Sequence, residues 1–385
     1  MISIIGGGIG GLTLALAFEK LGVEYNLYER AETLTEVGAG IWIPPNALQV
    51  IQWIDQKLFD RIKEQGNTID RITVGDSKLN PISDTYQDFV KNEFGFSTIT
   101  IHRGKLQAIL YEFANKEKIK LSKSFKEFKQ IEDNHIEVVF EDKSSVRTQY
   151  LIAADGINSK VRTQLFPESR LRYSGQTCWR GVAAYKIDPS FDHRGVEMWG
   201  EQLRFGISRL EEGKVYWFAV ALSEPNQQDD RSILKKKLHD MFIDFHPEAL
   251  NLIQNTPIEK IIRTDLSELQ ILDTWYQDNI CLIGDAAHSM TPDLGQGGGQ
   301  AIEDAFYLSN MISKNKEIAK VFAEFYQLRH QKVNQIVKKS WGTGIIANIK
   351  YGKRIRNFLF RSIPDKLLKK QMIKMYRIDK TITNV

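Results

Sequence analysis

The sequence predicts an α/β fold in which a parallel-sheet domain is interrupted by a mostly antiparallel β domain and followed by helices. Three observations predict it. A short apolar run, Ile2 to Ile5, meets Gly6-Gly7-Gly8-Ile9-Gly10-Gly11 and then the apolar stretch Leu12 to Ala17, the strand, glycine turn and helix that open a Rossmann-like unit. Alternating patterns between Thr177 and Leu222, such as Val215-Tyr216-Trp217-Phe218-Ala219-Val220, carry the period of antiparallel sheet. The chain then returns to a buried-strand run at Ile280 to Ile283, which makes the first domain discontinuous.

Each element has a physical reason. Gly6 permits the tight turn, Gly8 lets a pyrophosphate approach the backbone, and Gly11 lets helix and strand pack closely, while the free N–H groups of the helix start attract an anion. Gly10 belongs to the same turn. The run Tyr25 to Tyr28 reads as the second strand and ends in Glu29, at the roughly twenty-residue spacing where a carboxylate accepts ribose hydroxyls. Arg30 follows it, either as a ligand or as a solvated side chain. A glycine- and proline-marked loop from Glu36 to Ala47 leads to a helical pattern from Leu48 to about Ile62. A further helix is expected from Arg103 to about Asn115, with Leu106, Ile109, Leu110 and Phe113 on one face. Tyr150 to Ala154 reads as a buried strand ending at Asp155-Gly156. The expected boundaries are residues 1–70, 98–175 and 270–330 for the nucleotide domain, 71–97 and 176–269 for a substrate domain, and 331–385 for a basic helical segment. The cleft between the two domains should hold the chemistry.

The late motif adds to this. Gly284-Asp285 follows a strand, and Thr291-Pro292-Asp293-Leu294-Gly295-Gln296-Gly297-Gly298-Gly299 leads into an apolar helix. An aspartate there can hold the sugar-alcohol hydroxyls of a ligand, and a glycine-rich helix start offers donors and a positive dipole to negative charge. A reduced flavin carries such charge on its pyrimidine side.

Composition agrees with an enzyme. The 385 residues are 42% hydrophobic and 26% charged, enough for two or three domains of a soluble globular protein. No apolar stretch approaches the roughly twenty residues needed to span a bilayer. Met1 leads straight into the first strand with no secretion signal, so the expectation is a cytoplasmic protein. Neither cysteine has metal-ligand spacing; Cys281 lies in a buried-strand run, and Cys178 stays open between packed and reactive thiol. The seven histidines form no metal motif. The net charge of +4 is uneven: Lys332 to Val385 holds fourteen Lys or Arg against two Asp, a net of +12, leaving −8 for the rest. Within that tail, Tyr351 to Arg361 interleaves aromatic and basic residues. It could touch an anionic membrane surface or nucleic acid, or pack its apolar face on the body with lysines outward.

Gly6 to Gly11 with Glu29, the run Asp155 to Arg162, and Gly284-Asp285-Ala286-Ala287-His288 to Pro292 resemble the three fingerprints of FAD-dependent group A aromatic hydroxylases, the relatives of para-hydroxybenzoate hydroxylase. The resemblance extends in the same order to about residue 330. It implies that Gly6, Gly8 and Gly11 hold the FAD pyrophosphate, Glu29 the adenosine ribose, and Arg103 the FAD backbone. Asp285 would bind the ribityl chain, Gly295, Gln296, Gly297, Gly298 and Gly299 would face the isoalloxazine, and Asp155 would serve both FAD and the approach of nicotinamide. Without that context Asp155 reads equally as a turn cap. No second Rossmann glycine motif occurs, which fits NADH or NADPH binding only transiently as reductant. The wording of Tyr173 to Gly181 and of Gly297 to Ala305 resembles the branch of urate hydroxylases, 3-hydroxybenzoate 6-hydroxylases and zeaxanthin epoxidases. Arg204, Tyr216 and Asp293 match the positions where urate hydroxylases place substrate-contacting residues, while Gly299 departs from the cysteine or asparagine common there.

The resemblance implies a monooxygenase: reduced FAD combines with O2 at its C4a carbon, and the terminal hydroperoxide oxygen passes to an electron-rich aromatic or heteroaromatic small molecule. Arg204 would pair with an anionic substrate, Asp293 would orient or deprotonate a ring N–H or O–H, and Tyr216 would give an aromatic face. Alternatives are an epoxidase, an antibiotic-modifying monooxygenase, and a flavin reductase that inserts no oxygen. No nucleic-acid partner and no stable membrane insertion are expected, only weak contact of the tail with an anionic surface.

Overall fold

The computed structural model describes residues 1–34, 38–315 and 317–383. Glu36 and Val37 of the expected loop lie outside the described residues. Ile2–Ile5 forms the centre of a six-stranded sheet, between Tyr150–Ala153 on one side and Tyr25–Tyr28 on the other, all parallel. Ile280–Leu282 joins beyond Tyr150–Ala153 in parallel, and Tyr276–Gln277 closes that edge antiparallel. Ile119–Lys120 forms the opposite edge. All four residues of Ile2–Ile5 are buried, because helices cover both faces of a parallel sheet and an alternating pattern would bury polar groups.

The glycine turn delivers the chain into the helix Ile9–Leu21, which stops where Gly22 adopts a left-handed conformation and donates to the carbonyls of Phe18 and Glu19. This helix lies against Gly297–Lys314, with Gly10 so near Ala301 that a Cβ would stand 3.2 Å from the alanine methyl. The single helix expected from Leu48 to Ile62 is two, Pro45–Ile54 and Gln56–Gln65. Asp55 breaks it: its backbone is extended and its carboxylate accepts from the N–H groups of Lys57 and Leu58 at 2.5 and 3.2 Å. Aspartate's capping preference outweighed the apolar period. Arg103–Phe113 is helical as expected, stopping at Ala114.

The interrupting domain is a seven-stranded sheet in the order Ile262–Leu269, Leu171–Ala184, Lys214–Leu222, Leu203–Glu211, Arg194–Trp199, Arg71–Asp76, Pro81–Tyr86. Its pairs are antiparallel except Arg194–Trp199 with Arg71–Asp76. One face packs on the helices Leu234–Met241 and Pro247–Gln254 around Phe205, Trp217 and Phe242, with Phe205 and Trp217 stacked at 5.6 Å. The other face meets the nucleotide fold. There Trp42, in the strand Gly40–Ile43, donates its indole N–H to Ser208 Oγ at 2.9 Å, and the Tyr216 ring lies against Gly40, leaving no room for a Cβ.

Position 331, expected to begin a separate segment, falls inside the 30-residue helix Ile318–Ala347. Its buried residues, among them Phe322, Phe325, Arg329, Val333 and Ile336, run across that position without a break. The chain continues as Lys353–Arg361 and Asp365–Tyr376. Among the described residues no helix is long and apolar enough to cross a membrane.

Candidate active site

Gly6 sits at φ +105°, and a Cβ there would come within 2.5 Å of the Ala154 carbonyl oxygen; at Gly11 it would stand 2.0 Å from the Gly6 carbonyl oxygen. These two glycines are therefore required by packing. Gly8 is different, because nothing lies within 4 Å of where its Cβ would be. The space above it opens onto the start of the helix Ile9–Leu21, whose first turn no side chain caps. The helices starting at Arg103 and Gly297 are likewise uncapped by side chains. Gln107 ties the Arg103 helix to the glycine turn by donating to the Gly7 carbonyl at 2.7 Å. Helix starts that no side chain caps can turn their first-turn N–H groups to an anion such as a pyrophosphate.

Glu29 ends the second strand and accepts from the N–H groups of Gly7 at 2.6 Å and Ala31 at 2.9 Å. Its carboxylate is thus fixed at the edge of the glycine turn, with lone pairs left for hydroxyl donors. Arg30 and Arg103 are exposed. Asp155 follows the strand Tyr150–Ala153; its Oδ2 accepts from Val161 N–H at 3.3 Å, its Oδ1 is buried without a partner, and burial pushes its carboxyl upward. Asp285 is accessible to solvent yet surrounded by enough protein that desolvation raises its carboxyl above the usual range, against the pull of His288, Arg103 and Arg162. A carboxylate both accessible and desolvated lies at the floor of a trough. Open space at Gly8, uncapped helix starts and this trough fit an extended dinucleotide that carries a pyrophosphate and a polyol, as FAD does.

The segment Gly295 to Gly299 closes the trough. Gly295 turns at φ +60° behind the exposed Pro292, and Gly298 and Gly299 approach Ile41 and Pro44 of the facing segment. Gln296 is buried, its amide oxygen accepting from Asn46 at 3.3 Å and Gln300 at 3.1 Å. Under this loop, Arg329 donates to Asp304 at 2.9 Å, Glu303 at 2.7 Å and the Gln300 amide oxygen at 2.8 Å. Lys332 meets Glu303 at 2.8 Å, and His288 meets Asp304 at 2.6 Å. Burial alone would raise the Asp304 carboxyl, but His288 and Arg329 hold it below its ordinary value.

Across the cleft, strand register sets Arg204 beside Trp199 and Val220, Gly206 beside Glu197 and Phe218, and Ser208 beside Tyr216, all on one face. Arg204 is 2% exposed. One terminal nitrogen meets Glu197 Oε1 at 3.1 Å, and the other meets Gln176 Oε1 at 3.0 Å and Asp293 Oδ1 at 2.6 Å. The expected two-pronged contact of Arg204 with an anion thus finds both prongs engaged. Arg204 Nε has no partner, and Asp293 Oδ1, although ion-paired, accepts no well-directed hydrogen bond. Burial raises the Glu197 carboxyl, opposed by Arg204, and pushes the Tyr216 phenol far up, so it stays neutral. Both thiols, Cys178 and Cys281, are buried and shifted upward by desolvation.

The structure therefore brings Arg204 and Asp293 together and sets Tyr216 on the same sheet face. Sequence reasoning missed Gln176, Glu197 and Asn348, which donates to Gln176 Oε1 at 2.8 Å. It also missed Arg162, buried with its guanidinium on the carbonyls of Ile157 and Ala286. Arg329 was missed as well, and its usable signal was Glu303-Asp304 inside the otherwise apolar run Ala301 to Leu308, since adjacent buried carboxylates demand cations.

The model of the FAD binding domain family matches residues 1–338. The aurachin C monooxygenase/isomerase of Stigmatella aurantiaca is 36% identical over 349 residues, 90% of this chain and 89% of that protein. The 2-heptyl-3-hydroxy-4(1H)-quinolone synthase of Pseudomonas aeruginosa is 30% identical over 372 residues, 94% of each chain. In fold, Klebsiella pneumoniae HpxO, solved with FAD and uric acid, is similar at a TM-score of 0.89 and 24% identity, covering 98% of this chain and 96% of that one. With the family model matched over residues 1–338 and relatives matched along nearly their whole length, the chain belongs to the FAD binding domain family and is an FAD-dependent monooxygenase.

Proposed function

We propose that this enzyme uses NADH or NADPH and O2 to oxygenate a neutral nitrogen heteroaromatic of the quinolone kind, and that Arg204, Tyr216 and Asp293 act on that ring. The observation that carries the reading is the engagement of Arg204 by two carboxylates and an amide. At Arg204 an anionic ring would meet the carboxylates of Glu197 and Asp293 rather than a free cation, whereas a neutral ring pays no such repulsion there. The seat is apolar, with Cys178, Phe218 and Val220 packed together beside Tyr216. Relatives named for a quinolone product and for aurachin C agree with it.

Bound FAD, once reduced, supplies the activation of O2 and the transfer of one oxygen atom. Gly6, Gly8, Gly10 and Gly11 with the Ile9 helix start would hold its pyrophosphate, Glu29 and Arg30 its adenosine end, and Arg103, Asp155 and Asp285 its middle. Pro292, Gly295, Gln296 and Gly297 to Gly299 would face its ring. The residues of the chain do the rest. Arg204 fixes the Asp293 carboxylate, and Asp293 takes a hydrogen bond from a ring N–H or O–H, raising electron density at the carbon to be attacked. Tyr216, held neutral by burial, flanks the ring, and the sheet face excludes water that would divert the oxygen to peroxide.

The test is NADH and NADPH oxidation by the holoenzyme against an alkyl-4-quinolone, urate, a hydroxybenzoate and an alkene, with product and hydrogen peroxide both measured. The reading expects the quinolone to stimulate oxidation with stoichiometric product. Stimulation by urate or hydroxybenzoate alone, or by the alkene alone, contradicts it.

A further inference from the structure

The C-terminal helix Lys353–Arg361 is mounted the wrong way round for a surface helix. Its inward positions are Arg356 and Phe360: the Arg356 guanidinium lies over the Trp199 ring at 5.1 Å and donates to the Ala347 carbonyl at 2.8 Å, while Phe360 packs edge-on against Trp199 at 5.1 Å. Three of its four large apolar residues point outward, as does Tyr351 before it. Tyr351 is 78% exposed, Ile355 68%, Phe358 67% and Leu359 59%. The spacing of Ile355, Phe358 and Leu359 puts them on adjoining turns of one helix face, an apolar patch of the kind that water-facing surfaces seldom keep, with Tyr351 exposed just before the Gly352 cap. The expectation of an apolar face on the body with basic residues outward is thus half inverted.

The patch is ringed by cations. Lys350, Lys353, Arg354, Arg361, Lys366 and Lys370 are exposed or half-buried around it, against the exposed acids Glu201, which pairs with Lys353 at 3.7 Å, and Asp365, which pairs with Lys369 at 2.6 Å. We propose that the surface from Tyr351 to Lys370 docks on an anionic phospholipid bilayer, with Ile355, Phe358 and Leu359 entering the headgroup–acyl boundary and the flanking Lys and Arg meeting lipid phosphates. Charge selects this occupant. A second copy of the chain, paired by two-fold symmetry through the same patch, would bring the two basic rings face to face, whereas an anionic bilayer complements both the cations and the apolar stripe. The patch is also next to the chemistry: Trp199, on which the helix rests, donates its indole N–H to Glu197 at 3.0 Å, and Glu197 holds Arg204. Docking there places the substrate cleft beside the lipid surface. The proposal is independent of the quinolone reading, since vesicle binding requires no turnover.

The experiment is co-sedimentation of the FAD-loaded enzyme with vesicles of phosphatidylglycerol and phosphatidylcholine in equal parts and with vesicles of phosphatidylcholine alone. Phe358→Ser/Leu359→Ser is compared with wild type, with flavin absorbance reporting the fold and light scattering the mass in solution. The expected result is binding to the mixed vesicles, weakened by at least about tenfold on phosphatidylcholine and in the double variant, with salt reducing it further and the solution mass the same for both proteins. No binding to the mixed vesicles overturns the proposal. So does equal binding by the double variant, or a drop in its solution mass, which would mean that a second copy covers the patch.

Discussion

Two buried arginines of this molecule sit between pairs of carboxylates, Arg329 against Glu303 and Asp304 and Arg204 against Glu197 and Asp293. Around Arg329 all three guanidinium nitrogens have partners, and Lys332 and His288 add further positive or proton-donating groups to the two acids. Around Arg204 no second cation pairs with the two acids among the described residues, Nε is unpartnered, and Asp293 Oδ1 lacks a directed donor. The difference teaches what each cluster is for. A network in which every guanidinium nitrogen and both acids are matched, with only His288 Nδ1 left over, rigidifies the elements it joins, here the Gly297 helix, the Ile318 helix and the Gly284 turn. The free hydrogen-bonding capacity around Arg204 is what the proposed ligand would take up.

Removing Arg329 should break the comparison hardest. Arg329→Met leaves Glu303 and Asp304 short of a cation, and a loss of about 3–5 kcal/mol in unfolding free energy is expected, with release of FAD, both read in a denaturant titration followed by flavin fluorescence. A loss under about 1 kcal/mol would mean that the network is not a structural support. Asp293→Asn should act on chemistry instead. Coupled product formation should fall by about a hundredfold, with peroxide rising and the flavin spectrum unchanged; unaltered coupling removes Asp293 from the site. Ser208→Ala takes away the acceptor of the Trp42 indole and should cost about 1 kcal/mol in stability, seen as a modest fall in melting temperature with turnover largely kept.

Acid titration should sharpen the contrast, because the clusters respond with opposite sign. Asp304 is held below its ordinary value, so the folded state binds fewer protons there; its contribution is complete above about pH 4 and is lost as pH falls through the lower folded value. Glu197 is raised by burial, so the folded state keeps a proton that the unfolded chain releases; that contribution is present below about pH 4 and is lost as pH rises through the higher folded value. Relative to wild type, Glu197→Gln should therefore gain stability as pH rises above about 4, while Asp304→Asn should lose it as pH rises toward about 4, both measured by thermal melts across pH. A flat difference for either variant contradicts its assignment.

What was legible in the sequence was local. The strand Ile2–Ile5, the glycine turn and the strand Tyr25–Tyr28 depend on consecutive residues, and each stands where its pattern put it. Asp55 was legible too, but its capping chemistry was overridden in the reading by the apolar period on either side. The ion pair between Arg204 and Asp293 was not, because it depends on strand register and on docking of the Pro292–Leu294 turn against a sheet 89 positions away in sequence. The resemblance set both residues near substrate, yet only geometry shows that they engage each other and that both terminal nitrogens of Arg204 are taken. The outward stripe on the last helices followed the same rule: the interleaved pattern was visible from Tyr351 to Arg361, and which side faces the body was decided by Trp199, far away in the chain.

The central claim is that the Arg204–Asp293 pair serves a neutral ring beside bound FAD. It is tested most directly by following isotopically labelled O2 into product with an alkyl-4-quinolone, using wild type and Asp293→Asn at equal flavin content. The account predicts one labelled oxygen atom in the quinolone product per NAD(P)H consumed by wild type, and a shift of nearly all that reducing power to peroxide in the variant. Equal labelling by both proteins, or labelled product from urate but none from the quinolone, would contradict it.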